Sequence, residues 1–427
     1  MKRYTLVLLA LFFSGSLLSQ TYVSGGIYSN ATWTKANSPY IVTDNIVVFP
    51  DVVLTIEPGV EVRFADGKTI EIRQAYLNAI GTAIDSIFFT SNSTQPYPGI
   101  YYGLWLNGSS FTSNLSSSFK YCKFKYAEKA LFEYTASNYH LYLRNSVFVH
   151  NINAFYGYMA VVLIDSCSFT HNNLAIKYLH LSKIDHSIVS WNQTGIDMVN
   201  DWNCISNSVI EYNSTFGIRL SVSDTIKNCH IRNNVKGIAS SDNNSSSNNV
   251  ITGNYIEYND IGLELKSGDN HVSCNELCFN YIYSVYIINE NNINISNNHW
   301  CSTDSATLAG VIYDGYDNIL LGLVNYLPFA GTWCNLNLDV NNNTFPESPF
   351  VNIYPNPACQ YATIEFEKSM GTKCFVIYNL LGTEIQRFDN ISGSSITFDR
   401  GKLSDGIYYY SLSEGNEIVG KGSFILE

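Results

Sequence analysis

A short motif recurs at a nearly fixed interval along the middle of this chain of 427 residues. In most copies an apolar run precedes Asn-x-x-Gly/Ala, and an aliphatic residue follows. Successive copies begin 20 to 25 residues apart. A strand-like repeat of about 21 residues is typical of a β-solenoid, in which each coil buries its apolar side against its neighbours. The anchoring asparagines are Asn151, Asn172, Asn192, Asn213, Asn234, Asn259 and Asn280.

Alignment of the repeats indicates what each position does. Apolar and polar residues alternate before the asparagine, as a strand with one buried face requires. We predict that the asparagines form a ladder of amide hydrogen bonds between coils about 4.8 Å apart. Cys122, Cys167 and Cys229 share one phase of the repeat and are predicted to stack inside as small residues. The aliphatic residues predicted to point inward are Ile176, Ile196, Ile218, Ile238 and Leu263.

The repeats and the segments on either side resemble the right-handed parallel β-helix proteins of the pectate-lyase-like superfamily. Residues 45–64 are similar to the N-terminal coils of exported members, and Asn298-His-Trp-Cys-Ser-Thr-Asp304 is similar to their closing coils. The resemblance implies an all-β fold, with a right-handed parallel β-helix over residues 21–334. Cys301 and Cys334 bracket the end of the repeats, and we predict a disulfide between them.

The N-terminus has the features of a secretory signal peptide. Lys2 and Arg3 precede an apolar core from Tyr4 to Phe13, and small residues follow. We predict a signal peptide over residues 1–20. No later apolar run reaches the roughly 18 residues that a membrane-spanning helix needs, so no transmembrane segment is predicted.

Beyond the repeats, residues 335–349 are rich in Asn and Pro and are predicted to form a linker. Residues 350–427 contain short alternating strands separated by turn signals, which predicts a small antiparallel β-sandwich. This segment resembles the C-terminal sorting domain (type A) of the type IX secretion system of Bacteroidetes-type bacteria. The resemblance implies that the secretion machinery is a partner and that the product passes the periplasm to be secreted or held on the outer cell surface. Its motif residues here are Tyr354, Pro355, Asn356, Pro357, Gly382, Gly406, Tyr408 and Lys421.

Charge and metal-ligand spacing exclude some functions. The formal net charge of −12 argues against nucleic acid as a partner. The eight histidines show no metal-ligand spacing, and Cys274 and Cys278 lack a partner motif for zinc. We therefore predict no metal site and no cofactor.

One column of the predicted sheet is unusually charged. Two residues after each Gly/Ala, the register places Lys177, Asp197 and Arg219 on successive coils, followed by Ala239 and Glu264. Two interpretations stay open: a surface salt-bridge ladder or a catalytic site. In the resembled superfamily, catalysis occurs on the outer face of a parallel sheet. There, lyases use Ca²⁺ and a Lys or Arg base, and hydrolases use paired carboxylates.

The residues favour binding over catalysis, because no cluster of carboxylates with a base stands out. Tyrosines crowd the coils before the clean repeats, and their faces can stack on sugar rings. We predict a non-catalytic glycan-binding or adhesion protein. The alternative is a secreted polysaccharide lyase or glycoside hydrolase, in which Lys177 or Arg219 abstracts a proton and Asp197 holds a cation such as Ca²⁺. The crowded tyrosines are Tyr97, Tyr101, Tyr102, Tyr121, Tyr126, Tyr134, Tyr139, Tyr142, Tyr156 and Tyr158.

Overall fold

The computed structural model describes residues 20–330 and 351–426, apart from 109–114, 136–138, 200, 242–246, 267, 355–357, 359, 367–371, 380–383, 402, 405 and 415–416. These residues fall into two compact units, with the repeats in one and residues 351–426 in the other. Residues 1–19 of the predicted signal peptide, the linker, Cys334 and the motif residues Pro355, Asn356, Pro357 and Gly382 lie outside the described residues.

The repeat unit is a parallel β-solenoid, as predicted, and most of its coils contribute one strand to each of three parallel sheets. We name these sheets 1, 2 and 3. Along the chain a coil runs from sheet 2 to sheet 3 and then to sheet 1. The right-handed sense of the coil stays a prediction.

The sheets are defined by the following strands. Sheet 1 contains Thr21–Ile27, Tyr40–Val48, Thr69–Arg73, Tyr101–Gly108, Ala127–Thr135, Asn153–Ala160, Leu174–Leu179, Thr194–Asp197, Ile218–Leu220, Lys236–Ser240, Ile261–Leu265, Tyr283–Ile287 and Ile312–Tyr313. Sheet 2 contains Ala31–Trp33, Val53–Ile56, Tyr76–Ile80, Leu115–Lys120, Tyr139–Arg144, Val162–Asp165, Lys183–Asp185, Cys204–Ser206, Thr225–Lys227, Val250–Thr252 and His271–Ser273. Sheet 3 contains Glu61–Phe64, Ile87–Ser91, Cys122–Lys125, Val147–Val149, Ser168–Thr170, Ile188–Ser190, Val209–Glu211, His230–Arg232, Tyr255–Glu257 and Glu276–Cys278. The first halves of Thr21–Ile27 and Tyr40–Val48 also pair within sheet 3 before these strands continue into sheet 1.

Short elements complete this unit. A 3₁₀ turn occupies Lys35–Asn37, and the α-helix Ser305–Ala309 begins after Asp304, whose carboxylate accepts from the backbone of Thr307. A two-stranded pairing of Ile293–Asn294 with Val324–Asn325 closes the C-terminal end. No helix among the described residues is long and apolar enough to cross a membrane.

The asparagines of the repeat form a continuous buried ladder in the turn between sheets 3 and 1. For example, the backbone N–H and the Nδ2 of Asn172 both donate to Oδ1 of Asn192, at 2.9 and 3.0 Å. The Nδ2 of Asn172 also donates to the carbonyl of Phe148 on the preceding coil, at 3.0 Å. The ladder residues are at most 8% exposed. Because their polar atoms are satisfied by neighbouring coils, the ladder fixes the register of the stack.

The interior is filled by residues that repeat from coil to coil. The predicted inward residues of sheet 1, from Ile176 to Leu263, are paired in register and fully buried. Under sheet 3, the rings of Phe89, Phe124, Phe148 and Phe169 stack 4.6 to 4.7 Å apart. The predicted inward thiols, Cys122, Cys167 and Cys229, are also buried. All of these side chains bury their apolar area against neighbouring coils, so no coil is stable alone.

The second unit consists of two antiparallel sheets around one core. The core includes Phe375, Phe398 and Phe424. The hydroxyl of Tyr408 donates to the carbonyl of Ser404 at 2.9 Å, which ties that strand to the turn before it. One sheet contains Val351–Tyr354, Tyr361–Phe366 and Ser395–Asp399; the other contains Lys373–Tyr378, Glu384–Ile391, Gly406–Glu414 and Glu417–Leu426.

Candidate functional site

The charged column of sheet 1 lies where the repeat spacing predicted it. Lys177 pairs in register with Asp197, and Asp197 with Arg219. The guanidinium of Arg219 binds both oxygens of Asp197, with Nε–Oδ1 at 2.8 Å and Nη2–Oδ2 at 2.6 Å. The ammonium of Lys177 lies 3.2 Å from Oδ2. Asp197 is only 2% exposed, so its carboxylate is enclosed by its two cations.

This arrangement leaves few free oxygen atoms at Asp197 that could bind a metal ion. Calcium takes six to eight oxygen ligands, and both oxygens of Asp197 already accept from Arg219. Along the described column toward the C-terminus, the next carboxylate after Asp197 is that of Glu264, three coils away and beyond Arg219 and Ala239. Glu264 is itself bound to Lys236 at 2.6 Å. The geometry is that of an ion-pair ladder across coils.

Toward the N-terminus, the same outward column becomes aromatic. The register continues from Lys177 through Tyr156 and Phe132 to Trp105. The ring centroids of Trp105 and Phe132 are 6.1 Å apart, and those of Phe132 and Tyr156 are 5.9 Å apart. The ammonium of Lys129 lies over two of these rings, 4.5 Å from the centroid of Phe132 and 4.9 Å from that of Tyr156. We name Trp105, Phe132 and Tyr156 the aromatic ridge.

A shallow cleft of about 190 Å³ lies beside the ridge. The indole Nε1 of Trp105 is buried and has no hydrogen-bond partner among the described residues. Tyr102 at the rim is 55% exposed. The cleft therefore offers aromatic faces with polar groups of both signs beside them, and its lining consists of Thr69, Tyr102, Leu104, Trp105, Glu128, Lys129 and Phe132.

Tyr156 connects the ridge to the charged column. Its ring meets that of Tyr178 edge to face at 5.1 Å. Burial, followed by the contact with Tyr178 and the negative charge of Asp197, raises the pKa of the Tyr156 phenol to about 12. The phenol therefore stays protonated at neutral pH and is suited to hydrogen bonding rather than to service as a base.

The tyrosines that crowd the early coils have different environments. Tyr101 is fully buried, and its hydroxyl donates to the carbonyl of Lys125 at 3.0 Å. Tyr134 and Tyr158 are exposed and stack at 5.1 Å, two residues further along the strands than Phe132 and Tyr156. The tyrosine-rich segment is therefore only partly a surface feature, because strand alternation sends Tyr101 inward.

A second exposed aromatic series was not predicted from the sequence. The residue immediately before each ladder asparagine has a left-handed backbone, with φ from 54° to 58°, and Tyr126, at the same turn one coil before Asn151, has φ of 70°. Most of these residues are aromatic. The rings stack along the solenoid, with Trp191 and Tyr212 only 4.3 Å apart. The signal was visible as an aromatic or His residue directly before Asn in most repeats. We name this series the turn ladder: Tyr126, His150, His171, Trp191, Tyr212, Asn233, Tyr258 and Phe279.

The disulfide predicted between Cys301 and Cys334 is wrong, because Cys301 pairs with Cys278. Glu276 and His299 form a parallel bridge, so the residues two positions further on lie next to each other on adjacent coils. The Cα atoms of Cys278 and Cys301 are 5.7 Å apart. Cys274 is also disulfide-bonded.

These residues also bear on metal binding. Donor atoms of Glu276, Cys278, His299 and Cys301 lie within 4.8 Å of one another. Both sulfurs belong to the disulfide, which leaves one carboxylate and one imidazole, fewer than the three or four protein ligands of a zinc site.

Comparison with known proteins defines the second unit. Residues 352–426 match the family described as the secretion system C-terminal sorting domain. The chain thus carries a type IX sorting domain, which directs it to the cell surface or the extracellular space and implies interaction with the secretion machinery. The match confirms the predicted localisation, secreted or on the outer cell surface, and the predicted interaction with the secretion machinery.

Other similarities are partial. Protein bark beetle of Drosophila melanogaster is 40% identical over 76 residues, which is 18% of this chain and 2% of that protein. The periplasmic alginate epimerase AlgG is 14% identical, covers 70% of this chain and 84% of its own, and has a TM-score of 0.43. The alginate lyase of Paenibacillus sp. str. FPU-7 is 13% identical, covers 63% and 93%, and has a TM-score of 0.30. At these identities and scores, neither structure indicates what this chain binds.

Proposed function

We propose that the solenoid is a non-catalytic glycan-binding module of a secreted protein, with its binding face on sheet 1. The observation that carries this proposal is the aromatic ridge with its adjoining cleft. Trp105, Phe132 and Tyr156 present rings on three successive coils, and their register is set by the parallel sheet. A row of rings on a rigid sheet is suited to an extended sugar chain.

The chemistry of the cleft fits sugars in two respects. The apolar faces of sugar rings stack on aromatic side chains, and rigid aromatic residues lose little conformational entropy on binding. Around the rings, Glu128, Lys129 and Tyr102 supply hydrogen-bond donors and acceptors for hydroxyl groups. Lys129 is held over the ridge by its contacts with two rings, so it is in place before the ligand arrives.

The enzymatic alternative depends on Lys177, Asp197 and Arg219. A lyase would need one of the two cations as a free base and Asp197 as a cation ligand. The bidentate contact between Arg219 and Asp197 supports a structural role for that pair. Binding therefore remains our proposal, and lyase or hydrolase activity is an outcome that the experiment detects.

The test is affinity electrophoresis and calorimetry of the purified secreted protein with neutral and acidic polysaccharides. We expect Trp105→Ala to weaken binding by about tenfold, equivalent to 1.4 kcal/mol, because it removes the largest ring of the ridge. Trp202→Ala is the matched control, since Trp202 is 60% exposed and lies outside the ridge.

Equal binding by wild type and Trp105→Ala would contradict the proposal. The same incubations, with and without Ca²⁺, are assayed for new reducing or unsaturated ends. Ends that appear with wild type and disappear with Asp197→Asn would replace binding by catalysis as the function.

A further inference from the structure

The turn ladder is interrupted at one coil. Trp191 and Tyr212 stack at 4.3 Å with planes 10° apart, and Tyr258 and Phe279 stack at 5.5 Å with planes 14° apart. Between these pairs lies the coil of Asn233, whose φ of 56° matches that of its neighbours. The backbone is therefore unchanged at this rung, and only the ring is missing.

The missing ring leaves a pocket of about 290 Å³ on the surface. Successive coils are about 4.8 Å apart, so the rungs of Tyr212 and Tyr258 are separated by roughly 10 Å. A single ring placed midway would lie roughly 5 Å from each, within the range of stacked rings. The residues that line the pocket include Tyr212, Ser214, Asn233, Tyr258 and Asp260.

Polar groups at this gap are available to a ligand. Among the described residues, no hydrogen bond or ion pair engages the carboxamide of Asn233 or the carboxylate of Asp260. The hydroxyl of Ser214 makes one long hydrogen bond, at 3.4 Å, to the carbonyl of Gln193. The gap thus combines two aromatic walls with a donor-acceptor amide, a carboxylate and a hydroxyl.

We propose that this gap is a subsite for one pyranose ring of a neutral polysaccharide, held between Tyr212 and Tyr258. A pyranose carries C–H groups on both faces and hydroxyl groups around its edge, which matches walls of rings and a polar rim. The carboxylate of Asp260 and the net charge of −12 oppose an anionic sugar or a nucleobase on a phosphate backbone. The inference rests on the proposed glycan-binding function but concerns a different surface from the aromatic ridge.

The decisive variant completes the ladder. Asn233→Tyr places a ring in the gap, and the fold should accept it because Tyr212 and Tyr258 have the same backbone conformation. Asn228→Tyr is the matched control, because Asn228 has φ of 54° but lies in the turn between sheets 2 and 3. Circular dichroism verifies that both variants are folded.

Binding is measured by calorimetry with neutral gluco-, manno-, galacto- and xylo-hexaoses, and with oligogalacturonate as the anionic probe. We expect at least one neutral hexaose to bind wild type and Asn228→Tyr alike, and to bind Asn233→Tyr about tenfold or more weakly. Tyr258→Ala, which removes one wall, should lose affinity similarly.

The subsite is overturned if Asn233→Tyr binds as wild type does, if oligogalacturonate is preferred, or if no neutral hexaose binds at millimolar concentration. Trp105→Ala separates the two surfaces. Loss of binding in Trp105→Ala but not in Asn233→Tyr would leave the proposed function standing without the subsite. The reverse result would place glycan binding at the turn ladder instead of the ridge.

Discussion

Two turns of the solenoid share a backbone conformation and differ in their side chains. In the turn between sheets 3 and 1, the left-handed position is mostly aromatic; in the turn between sheets 2 and 3, it is mostly small and polar. Asn and Gly adopt this conformation readily, whereas a bulky residue there is an outlier. The residues of the second turn, with φ from 47° to 68°, are Tyr121, Asn145, Ser166, His186, Asn207, Asn228, Gly253, Cys274 and Asn297.

The difference separates what the fold requires from what it permits. The backbone needs a left-handed residue at both turns, and Asn228 or Gly253 meets that need without a ring. Aromatic residues in this conformation cost on the order of 1 kcal/mol each, and the stacking of a ring pair contributes a similar amount, about 0.5 to 1.5 kcal/mol. The fold therefore permits aromatic side chains in this turn but does not require them.

The largest effect on stability is expected from breaking the asparagine ladder, which lies beneath the aromatic turn. Asn213→Ala removes an Oδ1 that accepts from Asn192 and an Nδ2 that donates to Val189 and Asn234. Because several buried polar groups lose partners, we expect a loss of about 4 kcal/mol in the free energy of unfolding. Urea denaturation followed by circular dichroism measures it.

Ser208→Ala is the corresponding change beneath the other turn. Its hydroxyl accepts from the backbone of Ser187 and donates to the carbonyl of Ser206. Because fewer groups are affected, the expected loss is about 1 to 2 kcal/mol. Equal losses in the two variants would show that the asparagine ladder has no special role.

The third turn, between sheets 1 and 2, differs from the other two because its contribution to stability is expected to depend on pH. Its ladder contains Asp224, which accepts from the backbone and Nδ2 of Asn203 and from the backbone of Ser221. Burial raises the pKa of Asp224 to about 6, from 3.8. The folded state therefore keeps this proton to a higher pH than the unfolded state does.

The contribution of Asp224 to stability is consequently greatest below pH 4, decreases between pH 4 and 6, and is constant above that. The full decrease is about 3 kcal/mol. Asp224→Asn lacks this titration, so the difference in unfolding free energy between the two proteins should change by that amount over the interval. A difference that is independent of pH would refute the assignment.

The smallest expected effect comes from exchanging the side chains of the two turns. Trp191→Asn relieves the left-handed strain but loses the stack with Tyr212, so we expect a change below about 1 kcal/mol. Asn228→Trp puts the ring between Asn207 and Gly253, where no aromatic neighbour compensates, and should destabilise by about 1 kcal/mol. Thermal denaturation of both variants tests this; a strongly destabilised Trp191→Asn would mean that the turn ladder serves folding.

The solenoid, its asparagine ladder and the contacts of Asp197 could be predicted from the sequence. Where coils contain 20 to 22 residues, the spacing alone tells which residues pair on adjacent coils. The spacing did not predict this pairing where coil lengths are irregular. Trp105 and Phe132 are 27 residues apart and the pairing shifts between Lys129 and Leu131, so the ridge could not be aligned in advance. Cys278 and Cys301 are joined across a coil that lacks the Asn-x-x-Gly motif, which hid their proximity.

The buried thiols of the solenoid can report where its coils open. Burial raises the pKa of Cys167 and of Cys229 to about 12, and raises that of Cys122 as well. Thiolates are the form that reacts with alkylating reagents, so these three side chains should stay silent while their coils are closed. They lie on different coils along the axis. Their separate labelling rates would therefore map, position by position, where the stack first opens.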